Sequence, residues 1–133
     1  MKLLYLSNGY PPGQCAGTEV YTAAIATAFV RAGHQVQVVC SGEWDVGDHA
    51  FNGVTREQQS GVALTRLHLN WTKNPDPNRY LYDNPETEAA VDQCLQQSSA
   101  DLVHVTSCYT LSASVIRAIK RHRLPLLITL ASI

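Results

Sequence analysis

The feature that most constrains the fold of this 133-residue chain is an alternation of short apolar runs with segments of helical spacing. The first run, K-L-L-Y-L-S, is almost continuously apolar, which is typical of a strand covered on both faces. The second, Q-V-Q-V-V-C, follows a helical segment after a short connection, so the two strands are expected to be parallel. Strands are predicted at residues 2–7, 35–40, 62–69, 101–106 and 124–130.

Three segments between these runs have the periodicity of helices. Residues 18–32 place apolar side chains at intervals of three and four, and Gly33 then supplies a left-handed stop. Residues 85–98 begin with a proline, which suits the first turn of a helix, and a third helix is expected at residues 111–121. The pattern predicts one α/β domain with a Rossmann-like, open and mostly parallel sheet, helices on both faces, and strand order 3-2-1-4-5.

In such a sheet, ligands bind beyond the carboxyl ends of the strands. The loops that follow Ser7 and Thr106 are therefore predicted to lie side by side on the functional edge. Residues 41–61 and 70–85 are predicted to be long loops, and long loops in compact domains often have a function.

Composition excludes several classes of protein. The net charge is -1 and no block of like charge occurs, so nothing in the composition points to nucleic acid. The longest apolar run is too short to cross a bilayer, and a turn at Ser7 follows the apolar start too soon for a signal peptide. The four cysteines form no C-x-x-C pair, which argues against zinc or a disulfide framework and for reduced thiols in the cytoplasm.

The loop at residues 9–19 has the strongest chemical signal. Its glycines, Gly9, Gly13 and Gly17, are expected to turn the backbone through positive φ and to approach a ligand closely. The tripeptide G-T-E opens the first helix, where free N–H groups suit a diphosphate and Glu19 complements the helix dipole. A plain loop with a helix cap explains the same spacing equally well.

A nicotinamide- or flavin-binding domain is an alternative that the motifs disfavour. The glycine spacing is not G-x-G-x-x-G, and Glu43 alone is weak support for a ribose-binding acid after the second strand. A phosphate loop of the G-x-x-x-x-G-K-[ST] type is also missing, which argues against a kinase or ATPase.

The histidines and cysteines suggest structural roles first. His34 is expected to cap carbonyls or to be solvated, and His104 to be a hydrogen-bonded core histidine. Cys108 has no identifiable base, which disfavours a nucleophile. Ser107 and Thr110 either cap the next helix or contact a ligand. Three histidines have no partner at a spacing that suggests a metal: His49, His68 and His122.

In its order of motifs, the chain resembles family 4 retaining glycosyltransferases of GT-B fold. The elements that carry the resemblance are K-L-L-Y-L-S, a proline-containing loop, A-G-T-E, the helix ending R-A-G-H-Q-V-Q-V-V, and D-L-V-H-V-T. They span nearly the whole chain and correspond to the family's G-G-x-E turn, its G-H-x-V-x-V second strand and its fourth strand.

The resemblance implies metal-independent transfer of a sugar from a nucleotide-sugar donor to an acceptor, with retention, in glycan or glycoconjugate biosynthesis. In the family this domain chiefly binds the acceptor, which is a glycan, a small molecule or a lipid-linked compound. The first loop approaches the donor phosphates from across the cleft. The residues implied on the donor-phosphate side are Gly13, Ala16, Gly17 and Thr18. Those implied on the acceptor side are Glu19, Ser107, Cys108 and Tyr109.

The sequence departs from the family's pattern at three positions. Ala16 replaces the first glycine of the turn, Thr106 replaces a second histidine, and Ala131 stands where a histidine normally faces the donor sugar. No pair of glutamates has E-x7-E spacing. These departures predict an incomplete N-terminal domain that is inactive without a C-terminal domain. Residues 131–133 are either native sequence or the junction left by a truncation.

Three further expectations follow from the same interpretation. An incomplete sheet leaves apolar surface and a strand edge exposed, so self-association is expected. The run Lys120-Arg121-His122-Arg123 either offsets a helix dipole or touches anionic lipid, in which case the cytoplasmic protein contacts the inner membrane face peripherally. The alternative to an enzyme is a non-catalytic α/β domain that serves as a binding module.

Overall fold

The structure is a computed structural model, and it describes residues 1–43 and 45–130. Its centre is a six-stranded sheet with the order β3-β4-β2-β1-β5-β6. Four neighbouring pairs are parallel, and only β3 runs antiparallel, against β4. The strands are β1 (Lys2–Ser7), β2 (Gln35–Ser41), β3 (Phe51–Gln59), β4 (Val62–Leu69), β5 (Leu102–Val105) and β6 (Leu126–Ile128).

The predicted fold class is confirmed, and the sheet differs from the prediction by one strand. The five predicted strands follow one another across the sheet as expected, but β3 occupies part of the segment predicted to be a loop. Its sequence is polar because β3 is an exposed edge strand. The hairpin turn to β4 consists of Ser60 and Gly61, both at positive φ (50° and 81°), which fits the twist of a two-residue hairpin.

Four α-helices flank the sheet: α1 (Gly17–Arg31), α2 (Pro77–Tyr80), α3 (Pro85–Ser98) and α4 (Val115–Arg121). The segment predicted to be a loop at residues 70–85 contains α2 and a 3-10 turn, Trp71–Lys73. The side chains of Asn70, Asp76 and Asn84 accept hydrogen bonds from the first N–H groups of the 3-10 turn, α2 and α3 in turn. The prediction that the last helix starts at residue 111 was wrong by four residues.

The core has two layers because successive side chains of a strand point to opposite faces. Tyr5 of β1 packs with Val38 and Leu64 on the face that α1 covers. Leu6 points the other way, into the core that contains Val91 and Ile119 of the helices α3 and α4. Helices on both faces of the sheet are therefore confirmed.

Gly33 ends α1 as predicted. Its φ is 95°, and its N–H donates to the Val30 carbonyl at 3.0 Å. The next N–H, of His34, donates to the Phe29 carbonyl at 3.0 Å, which completes a Schellman motif. His34 Nδ1 lies 3.0 Å from the amino terminus of Met1, so this histidine links the end of α1 to the start of β1.

Ion pairs join α4 to α3 across the outer surface. Glu88 accepts from Arg117 Nε at 3.2 Å and from Arg121 Nη1 at 2.6 Å. His122 Nε2 lies 2.8 Å from Asp92 Oδ1. Two members of the basic run, Arg121 and His122, thus contact acidic side chains of the same domain. In the described part of the chain, no helix is long and apolar enough to span a membrane.

His104 is buried in β5, as the sequence predicted. Its Nε2 lies 2.6 Å from Thr129 Oγ1, and its ring packs against Tyr5 with centroids 5.0 Å apart. Burial lowers the pKa of His104 below its ordinary value of 6.5, because the charged imidazolium is poorly solvated there.

Replacing Gly33 with alanine is expected to lower the free energy of unfolding by about 1–2 kcal/mol, because a Cβ at φ 95° is strained. Gly17→Ala is the matched control. Gly17 begins α1, its φ is not positive, and a Cβ there would meet no atom within 4 Å. Urea unfolding of both variants measures the difference, and equal stabilities would contradict the strain argument.

The stability of the chain is expected to fall as the pH drops below about 6.5, in part because of His104. The unfolded chain binds the proton more readily than the folded one, so acid favours unfolding. His104→Gln is expected to flatten this dependence. Urea midpoints measured across this range provide the test, and an unaltered slope in His104→Gln would refute the assignment.

Candidate functional site

The loops after β1 and β5 meet at the carboxyl edge of the sheet, as predicted from the strand pattern, and the end of β2 joins them. Thr110 Oγ1 lies 2.7 Å from Ser41 Oγ, and it donates to the Asn8 carbonyl at 3.3 Å. Ser41 also donates to the Asn8 carbonyl. Two hydroxyl groups therefore fix the relative positions of three loops.

A second hydroxyl pair ties α1 to the centre of this edge. Thr22 Oγ1 of α1 lies 2.7 Å from Thr106 Oγ1, and both residues are buried. Thr106 lies after β5 and also donates to the Leu6 carbonyl of β1 at 3.2 Å. Thr106, which departs from the resembled family's histidine, thus serves as a structural link between the helix and two strands.

The first loop folds back on itself through Gln14. Its Oε1 accepts from the Tyr10 N–H at 3.1 Å, and its Nε2 donates to the Gly42 carbonyl at 2.9 Å. A Cβ on Gly9 would lie 2.5 Å from Gln14 Oε1, so this contact requires glycine. The expectation of positive φ at the loop glycines was wrong, because none of Gly9, Gly13 and Gly17 adopts it.

The amino end of α1 is open at this edge. Ala16 precedes the helix with extended backbone (φ -72°, ψ 176°), and it offers no side-chain cap. Ala16 and Gly17 are exposed, and Thr18 is partly exposed. The predicted donor-phosphate residues therefore lie together at a helix start whose N–H groups no cap side chain occupies, with Gly13 nearby in the same loop.

Glu19 is the exception among these exposed residues. It is only 4% exposed, and its Oε2 atom has no hydrogen-bond partner among the described residues. Its charge acts on Cys40, the buried thiol at the end of β2. Burial raises the pKa of Cys40 to about 12, with a smaller contribution from Glu19. Glu19 is therefore a buried residue of the first turn of α1, within electrostatic reach of the end of β2.

The other predicted acceptor-side residues form a turn after β5. Ser107 Oγ accepts from the Tyr109 N–H at 3.2 Å, and Tyr109 is 66% exposed. The alternative that Ser107 or Thr110 caps the next helix was wrong, because α4 begins only at Val115. Cys108 is half-buried, and burial raises the pKa of its thiol, which keeps it protonated at neutral pH.

A cleft of about 690 Å³ lies beside the first loop, and the sequence did not predict it. It opens between that loop, the end of β2 and the end of β4. Alternate β4 residues, Arg66 and His68, point to one face, and this spacing was the available signal. The lining consists of Gly13, Gln14, Gly42, Glu43, Asp45, Arg66, His68, Trp71 and Thr72.

The two basic side chains of the cleft are held by the protein itself. Arg66 Nε donates to Glu57 Oε1 at 2.7 Å, and its Nη groups donate to the carbonyls of Tyr10 and Pro11 at 3.4–3.5 Å. His68 Nε2 lies 2.8 Å from Thr55 Oγ1. These contacts join the first loop to the β3–β4 hairpin and form one wall of the cleft.

Residues 1–43 and 45–130 contain no group of three His, Cys, Asp or Glu side chains arranged to hold a metal ion. The four cysteines are free thiols. The prediction about Ala131 falls outside the described residues.

Three solved structures show the same fold at low sequence identity. Sucrose-phosphate synthase from Thermosynechococcus elongatus matches with a TM-score of 0.64 and 17% identity, over 98% of this chain and 33% of that one. Trehalose-6-phosphate synthase from E. coli, bound with UDP-2-fluoro glucose, matches with a TM-score of 0.54 and 14% identity, over 96% of this chain and 32% of that one. The C-terminal domain of PF1911 hydrogenase from Pyrococcus furiosus matches with a TM-score of 0.53 and 17% identity, over 97% of this chain and 91% of that one.

The chain thus spans about a third of the two synthases, and the hydrogenase match shows that the fold is not restricted to transferases. A search of curated protein sequences finds no match. The family comparison is specific: residues 16–132 match the Glycosyl transferase 4-like domain, from the amino end of α1 to beyond β6. The chain therefore belongs to the glycosyl transferase 4-like family.

Proposed function

We propose that this chain is the acceptor-side domain of an enzyme that transfers a sugar from a nucleotide-sugar donor to an acceptor, with retention and without a metal. The observation that carries the proposal is the uncapped start of α1 at the carboxyl edge of the sheet, next to an open cleft. Family membership supports sugar transfer. Retention, the donor and the biosynthetic pathway belong to the proposal.

The start of α1 is suited to the donor diphosphate. Free N–H groups at a helix start, together with the helix dipole, attract anions. The residues at the start of α1 are Ala16, Gly17 and Thr18. They have a short side chain or none, which leaves the N–H groups accessible. In this proposal the loop forms one wall of the donor site, and the sugar to be transferred lies above it.

The domain cannot hold the donor by itself. An anion at one helix start gains about 0.3–1 kcal/mol, and about 2 kcal/mol when it is partly buried. Micromolar affinity requires about 8 kcal/mol. The remaining contacts are assigned to a second, nucleotide-binding domain, which agrees with the chain's length of about a third of the two synthases.

The acceptor is assigned to the surface between the turn after β5 and the cleft. Tyr109 is exposed on one side of the first loop, and Trp71 lies in the cleft on the other. Glu19 is buried in the first turn of α1, so its proposed acceptor role is to accept a hydrogen bond from an acceptor hydroxyl through Oε2 rather than to form a surface contact.

The 133-residue chain alone is expected to transfer no sugar and to bind nucleotide-sugars more weakly than micromolar. Calorimetry with UDP-glucose and GDP-mannose, together with a transfer assay on the chain, measures both properties. Transfer by the isolated chain would overturn the two-domain proposal. The anomeric configuration of the product of the complete enzyme, read by NMR, tests retention separately.

In the complete enzyme, Gly17→Val is expected to raise the donor KM about tenfold, because a branched side chain keeps the diphosphate from the free N–H groups. The fold should tolerate the change, since a Cβ at Gly17 meets no atom within 4 Å. Ala28→Val, at an exposed position near the other end of α1, is the matched control. An unchanged donor KM in Gly17→Val would place the diphosphate elsewhere.

A further inference from the structure

We infer that the cleft selects an uncharged or amine-bearing saccharide as the acceptor and rejects a phosphorylated one. This inference rests on the proposed function and adds the chemical class of the substrate. It depends on the cleft beside the first loop, whose size suits a small ligand at about 690 Å³.

Trp71 provides the surface on which a sugar ring can stack. It is 49% exposed and belongs to the 3-10 turn Trp71–Lys73. Asn70 fixes that turn: its Oδ1 accepts from the Thr72 N–H at 3.0 Å, and its Nδ2 donates to the Gly47 carbonyl at 2.7 Å. An exposed aromatic face held by a buried asparagine loses little conformational entropy when a ligand stacks on it.

The free charges that line the cleft are acidic. Glu43 and Asp45 are exposed, and within the described ranges neither forms a salt bridge. Their backbone is held against the end of β4, since the Leu69 N–H donates to the Glu43 carbonyl at 3.3 Å and Asp45 pairs with Asn70 in an antiparallel bridge. The backbone thus positions two acidic residues in the lining that Trp71 shares.

The basic side chains of the lining, Arg66 and His68, already have partners within the domain. Arg66 donates to Glu57 and to two loop carbonyls, and its side chain is only 14% exposed. His68 Nε2 contacts Thr55 Oγ1. The other side of the imidazole ring packs so closely against Gly42 that a Cβ added to Gly42 would lie 2.5 Å from His68 Nδ1. Lys73 follows Thr72 in the chain but is not part of the lining.

These charges decide between acceptor classes. Sugar hydroxyls donate to carboxylates, and an ammonium group pairs with them, whereas a phosphate brings like charges together at a cost. An anionic acceptor would gain little from Arg66, which already donates to Glu57 and to the carbonyls of Tyr10 and Pro11. The geometry thus favours glucose-like and glucosamine-like rings over sugar phosphates.

The test compares glucosamine, glucose and glucose 6-phosphate as ligands of the 133-residue chain by saturation-transfer NMR at low ionic strength. Glucosamine and glucose are expected to bind, and glucose 6-phosphate to bind at least about tenfold more weakly than glucosamine. Equal or tighter binding of glucose 6-phosphate would overturn the inference, and so would the absence of binding by all three.

A double variant, Glu43→Gln with Asp45→Asn, isolates the contribution of charge. It is expected to reduce the discrimination between glucosamine and glucose 6-phosphate to about threefold or less while binding of glucose persists. Asp101→Asn, which removes an exposed carboxylate at the opposite, amino end of β5, is the control and should leave the preference unchanged. Discrimination that persists in the double variant would overturn the inference.

Trp71→Ala is expected to abolish binding of all three sugars, and thermal melting establishes that the variant is folded. Undiminished binding in folded Trp71→Ala would place the sugars outside the cleft and refute the inference.

None of these measurements requires sugar transfer. If the complete enzyme transfers sugar but the chain prefers glucose 6-phosphate, only the acceptor class is wrong, whereas failure of transfer with every donor removes the proposed function itself.

Discussion

The parallel pairing of β1 with β2 on one side and with β5 on the other determines what the rest of the molecule can do. Because all three strands run in the same direction, their carboxyl ends and the loops that follow them lie at one edge. β1 is central, with Leu6 fully buried, so the first loop leaves the sheet from a rigid base. Buried threonine and serine hydroxyl groups then convert this proximity into fixed geometry, since Thr106 bonds to both α1 and β1.

The same constraint explains which parts of the fold the sequence could reveal. Buried parallel strands are apolar on both faces, so β1 and β2 stand out in the sequence, and Gly33 marks the end of α1 because its left-handed conformation favours glycine. β3 did not stand out. As an exposed edge strand it carries residues such as Arg56 and Gln58, which a polar loop would also contain.

The site was less predictable than the fold. Proximity of the loops after Ser7 and Thr106 follows from topology alone, and it was predicted correctly. The cleft depends on contacts between residues distant in sequence, such as Arg66 with Tyr10, and on the turn that displays Trp71. No local pattern encodes these contacts. The loop glycines show a related limit: Gly9 lies against the Gln14 side chain and its φ is not positive, although the composition of the loop suggested otherwise.

Glu19 combines a favourable and an unfavourable interaction in the first turn of α1. A carboxylate in the first turn of α1 gains about 0.3–1 kcal/mol from the helix dipole. A buried acceptor atom without a hydrogen-bond partner costs about 1–3 kcal/mol, so the larger effect opposes folding at this position. Costs of this kind are characteristic of functional sites rather than of cores. The opposite arrangement occurs at Thr22, whose buried hydroxyl is satisfied by Thr18 and Thr106 within the domain. The helix α1 thus carries at Thr22 a buried hydroxyl whose hydrogen bonds are satisfied and, one turn earlier at Glu19, a buried carboxylate oxygen without a partner among the described residues.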